Sequence, residues 1–169
     1  MVNSGGCPFV TNPTTENVCG AVADAGDTYL AGEGWTDVSG STPCTWPTTP
    51  GSWTGVDTTV ADVESLLQGA GDGAKGIMYV TDGATAHAFN VVNVDGAVIG
   101  ADFTPGLYTG SITEVAENAG LTADSAAAAR ASAEAARDAA AAAGDPAAAT
   151  MPIPSGGLSW NFLPIGFGW

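Results

Sequence analysis

The sequence predicts an α+β domain, a small antiparallel sheet backed by helices, and three observations carry that prediction. Short apolar runs, "GIMYVTD", "AHAFNVVN" and "DGAVIGADF", follow one another between residues 76 and 103, each bounded by turn residues. The dipeptide Asp95–Gly96 sits between two of them and suits a two-residue hairpin turn. Helical patterns flank these runs on both sides instead of alternating with them, which favours an antiparallel sheet over a parallel one.

In chain order, "NPTTENVCGAVADAGDTYLAGEG" reads as the first helix, with Thr14 or Thr15 as N-cap, Glu16 in the first turn and Gly32 as the stop. Val18, Val22, Ala25 and Tyr29 recur at helical spacing, although Gly20 and Gly26 weaken the pattern. A turn-rich stretch with Trp46 and Trp53 follows. "DTTVADVESLLQGAG" is a second helix, capped by Thr58 or Thr59, with Val60, Val63, Leu66 and Leu67 inward. After the three strands, "LYTGSITEV" reads as a fourth, and residues 1–120 make one domain. Residues 121–150 hold an Ala-rich helix and a linker. Asp124 or Ser125 caps the helix and Gly144 with Pro146 ends it; its twenty or so residues span roughly 30 Å. Alanine faces leave it little to bury, so it reads as a spacer. Residues 151–169 are an aromatic C-terminal tail.

Charge removes whole classes of function. Three basic residues, Lys75, Arg130 and Arg137, stand against 18 acidic ones, for a net charge of −15. Binding to nucleic acid or anionic lipid rests on Lys and Arg, so neither is expected. The Ala-rich segment is interrupted by charges and by Pro146, so no membrane span is expected. The opening "MVNSGGCPFV" has neither the basic nor the long apolar region of a secretory signal. Residence in the cytoplasm, export by a non-classical route, or association with a virion or shell all remain open. Three cysteines are too few for a disulfide framework, and an odd count leaves one thiol free. A Cys7–Cys44 bridge is possible, and the sequence leaves it open.

One constellation carries chemistry. His87 is the sole histidine, on a predicted strand, and Asp102 follows across the Asp95–Gly96 hairpin. Cys19 falls in the first turn of the first helix, where unpaired N–H groups favour a thiolate. A nucleophile, a base and a group that fixes the imidazole make a cysteine hydrolase site. The plain alternatives are a satisfied core histidine and a small buried thiol. A zinc site built from the three cysteines and His87 lacks any C-x-x-C spacing, so no metal and no organic cofactor are expected.

The segments "NVCGAVADAGDTYLAG" and "AHAFNVVNVDGAVIGADFTPG" resemble the two signature blocks of papain-like toxin domains of bacterial polymorphic toxin systems, often glutamine deamidases. The resemblance spans about residues 15–110, with the second block the more specific. It implies a papain-like fold whose N-terminal helix carries the cysteine. It also implies roles for Cys19 as nucleophile, His87 as base and Asp102 as orienting acid. Two places depart from the family pattern: Val18 separates Asn17 from the cysteine, and Thr104 stands where a glutamine often follows the aspartate.

Two functions are therefore expected. The first is a cysteine amidohydrolase acting on a protein substrate, a glutamine deamidase or a peptidase. The second is a non-catalytic structural, cargo or decoration component of a virion or protein shell that keeps the fold. In both, Trp160, Phe162, Leu163, Ile165, Phe167 and Trp169 are candidate contacts to a protein partner or assembly. The competing reading of these six is a segment that folds back onto its own domain.

Overall fold

A computed structural model describes residue 30 and residues 58–104 and 107–165. Apart from residue 30, the expected cysteine-bearing helix lies outside the described residues, as do all three cysteines, Trp46, Trp53, Phe167 and Trp169. What is described is α+β, as the strand and helix patterns predict: three α-helices and one five-stranded antiparallel sheet.

Helix α1 spans Val60–Ala70, and Thr59 caps it by accepting the Asp62 N–H on its hydroxyl. Val63 and Leu67, one turn apart, are buried. Leu66, expected inward, is exposed, because it stands about a quarter-turn round the helix from Leu67. The strands are β1 (Lys75–Thr81), β2 (Ala86–Val94), β3 (Ala97–Asp102), β4 (Tyr108–Gly110) and β5 (Ser159–Ile165), in spatial order β4-β3-β2-β1-β5. Asp95 and Gly96 both take positive φ, 51° and 87°, as a two-residue turn between β2 and β3 requires. Two bonds fasten that turn to the end of α1: the Asp95 N–H to Asp72, and the Gln68 side chain to the Gly96 carbonyl.

The fourth expected strand stops at Gly110. From Ile112 to Asn118 the chain is helix α2, because Ser111 and Glu114 form a reciprocal capping box. This buries Ile112, Val115 and Ala116 against the sheet. Helix α3, Ala123–Ala142, starts two to three residues earlier than expected. Thr122 is the N-cap, with Ser125 as its capping-box partner, so neither Asp124 nor Ser125 is the cap.

The spacer and tail expectations change most. Beyond α3, a 3₁₀ turn at Pro146–Thr150 and an extended segment return the chain to the sheet. Arg130 on α3 holds that segment by donating from Nη1 to the Ser155 carbonyl, at 2.9 Å. Pro154 packs on Gly83 in the β1–β2 turn. Residues 159–165 then pair with β1 over seven positions, Trp160 opposite Val80 and Phe162 opposite Met78. Phe162 is 2 % exposed, in the core with Met78, Val80, Phe89 and Leu67. Trp160, Phe162, Leu163 and Ile165 thus stand in a strand of the sheet, the placement of the fold-back reading, with Phe162 alone fully buried. The physical reason is that β1 would otherwise be an edge with unpaired N–H and C=O groups beside apolar side chains. Pro164 is compatible with this because β5 is the outermost of the described strands.

Phe162 packs its ring on Gly76, where no side chain would fit. Truncation by Phe162→Ala should cost about 3–5 kcal/mol, read as a lower urea midpoint with an unchanged slope. Removing residues 156–169 should likewise lower the melting temperature by many degrees. An unchanged midpoint in both proteins would mean β5 contributes nothing to the fold.

Candidate active site

His87 lies near the start of β2, paired with Val80 of β1. Side chains alternate along a strand, so His87, Phe89 and Val91 share the face that α1 and α2 cover. The His87 and Phe89 rings stack at 6.1 Å between centroids, 24° apart. Asp102 closes β3. The β2–β3 register pairs Asn90 with Ala101. Continued by one step, it brings Asp102 beside Phe89 and diagonal to His87 on that same face.

The two side chains meet. His87 Nε2 and Asp102 Oδ2 are 2.8 Å apart, and Asp102 Oδ1 accepts the Thr104 N–H at 2.9 Å. Asp102 is 2 % exposed, and the His87 side chain 12 %. A buried carboxylate is costly unless hydrogen bonds replace its water, and here both oxygens are engaged. An ionised carboxylate only accepts, so the imidazole donates through Nε2 and its tautomer is set. In that tautomer the neutral ring carries its proton on Nε2 and none on Nδ1. Of the three expected catalytic residues, the structure thus brings two together, and Cys19 lies outside the described residues. Thr104, one of the two departures from the family pattern, contributes its backbone to the aspartate, a contact that any residue but proline supplies.

A second carboxylate matters more than the sequence suggests. Asp82, in the turn-forming run Thr81–Asp82–Gly83, is 5 % exposed. Its Oδ1 accepts the N–H groups of Ala84 and Thr85 at 2.9 and 2.7 Å, and the Thr85 hydroxyl lies 3.3 Å from both carboxylate oxygens. Burial by itself raises this carboxyl. The bonds from Thr85, Ala84 and Ser125 outweigh it and hold the group below its ordinary value of 3.8.

Among the described residues no three His, Cys, Asp or Glu side chains are grouped to hold a metal, and no helix is long and apolar enough to cross a membrane. An open cleft of about 590 Å³, lined by Arg137, Asp145 and Ala148, lies at the far end of α3 and contains none of the expected site residues. No protein-family model, curated protein or solved structure matches the chain. The likeness to papain-like toxin domains therefore rests on the quoted residues alone.

Two measurements probe this geometry. Replacement Asp102→Asn puts an amide where Oδ2 was, and an amide N–H facing the ring reverses the tautomer. As the chain has one histidine, its ¹⁵N ring signals should report that reversal directly; an unchanged pattern would show that Asp102 does not set the tautomer. For Asp82, a folded value below the unfolded one means a stabilising contribution present above about pH 3.8 and lost as the pH falls further. The melting-temperature gap between the native chain and Asp82→Asn should therefore be widest near neutrality and close in acid.

Proposed function

We propose that this chain is a papain-like cysteine amidohydrolase whose most fitting reaction is deamidation of a protein glutamine. The observation that supports this best is the His87–Asp102 pair. A histidine fixed through Nε2 by a buried carboxylate, at the end of a sheet, is the arrangement a thiol nucleophile requires of its base. In the proposed reaction the Cys19 thiolate attacks the carboxamide carbon. The protonated His87 gives its Nδ1 proton to the departing nitrogen, so ammonia leaves and a thioester remains. His87 then takes a proton from water, whose oxygen displaces the sulfur, leaving a carboxylate and the regenerated thiol. Asp102 holds the His87 ring through Nε2 in both its protonated and neutral forms, and the steps call for neither metal nor organic cofactor. Cleavage of a peptide bond follows the same steps with an amine as leaving group.

In either reading, as an enzyme or as a shell component, residues 159–165 stand in the sheet and do not form a free tail.

The test is thiol chemistry followed by turnover. Near pH 6.5, iodoacetamide should label Cys19 faster than Cys7 or Cys44, and His87→Ala should slow that labelling at least about tenfold. Ammonia release from glutamine-containing basic proteins should vanish in Cys19→Ala. Equal labelling at the three thiols, unaffected by His87→Ala, would sink the proposal.

A further inference from the structure

The β2–β3 ladder begins only at Asn90, whereas the β1–β2 ladder runs from Ala86. Among the described strands, then, the backbone of Ala86–Phe89 is laddered to β1 alone. What aligns that ladder at its His87 end is the turn joining the two strands, Asp82–Thr85. The turn is closed almost wholly by side-chain bonds. Asp82 takes the Ala84 and Thr85 N–H groups, and the Thr81 hydroxyl donates to the Thr85 carbonyl and accepts the Gly83 N–H. The only backbone bond across it runs from the Asp82 N–H to the Thr85 carbonyl, at 3.2 Å. Pro154 closes over Gly83 from outside.

Register matters here more than elsewhere in the sheet. A one-residue slip turns every side chain of a strand to the opposite face, which would carry His87 away from Asp102. Even a smaller loosening shifts the ring, since the turn ends only two residues before it. A carboxylate that is 5 % exposed would be an expensive way to make a simple surface turn. Asparagine or serine serves that purpose at less cost.

We propose that Asp82 is a positioning residue for His87: by closing the β1–β2 turn it fixes the register and aim of the imidazole toward Asp102. The inference rests on the reading of His87 as the base, but it concerns the ring and not the thiol. Its failure is therefore distinguishable from failure of the enzymatic reading, which is decided at Cys19.

The experiment records the ¹⁵N ring signals of His87 in the full chain and in Asp82→Asn, Asp82→Ser and Asp82→Ala, well below each protein's melting temperature. Asparagine keeps an acceptor oxygen in place, so Asp82→Asn should retain the separate nitrogen signals of one fixed tautomer. In Asp82→Ala the two signals should move toward an averaged position, and Asp82→Ser, with its shorter acceptor, should fall between. A purely structural role would lower the melting temperature in Asp82→Ala and leave the ring signals of the folded protein where they were; that result overturns the proposal. So does loss of the fixed tautomer in Asp82→Asn to the same extent as in Asp82→Ala. Should Asp82→Ala fail to fold, Asp82→Ser decides by the same criterion. Unfolding of all three variants would make Asp82 a folding determinant and not a positioning residue.

Discussion

Strand β1 is hydrogen-bonded on both sides, to β2 through a four-residue turn and to β5 from the far end of the chain. Much of the described structure follows from that second pairing. It joins positions roughly eighty residues apart, so the intervening chain must leave the sheet and come back. Helix α3 carries it out; the 3₁₀ turn, the Arg130–Ser155 bond and the Pro154–Gly83 contact bring it back. The bare backbone of Gly76 leaves room for the Phe162 ring, which completes the core. Such non-local pairing is slow to find and strongly cooperative once found. The hairpin that bears His87 is thus backed by a strand that arrives last along the chain.

The candidate site lies at the end of the sheet where these pieces converge. Trp160, Val80 and His87 stand in one row across β5, β1 and β2, and Asp102 reaches His87 diagonally from the next row on β3. The same end holds the β1–β2 turn and the proline that closes over it. Packing there serves two ends at once. It completes the core, and it holds an imidazole against a buried carboxylate that water would otherwise solvate.

The sequence made much of this legible where a signal is local. The Asp95–Gly96 turn, the Thr59 cap and the twenty-residue α3 follow from short-range chemistry, and all three are present. The pairing of His87 with Asp102 was also legible, since one hairpin with alternating side chains places them together. The capping box of α2 was written in Ser111 and Glu114 but masked by the β-branched residues around it, Ile112, Thr113 and Val115. The destination of residues 159–165 was not legible, because an apolar strand at the end of a spacer looks the same whether its partner is another molecule or β1. Only the unsatisfied edge of β1 distinguishes the two, and that edge exists only once the sheet is formed. Asp82 was missed for a related reason. Its turn chemistry is visible in the sequence, whereas its burial depends on the α3 residues and the return segment that pack around it.

The net charge of −15 and the single Asp102 charge act on the site at different ranges. At physiological ionic strength, exposed charges farther off than about 8–10 Å are largely screened. At longer range, a net negative surface of this kind attracts basic surfaces and repels phosphate-rich ones. Asp102, 2.8 Å from the ring and out of water, is not screened and governs which nitrogen carries the proton.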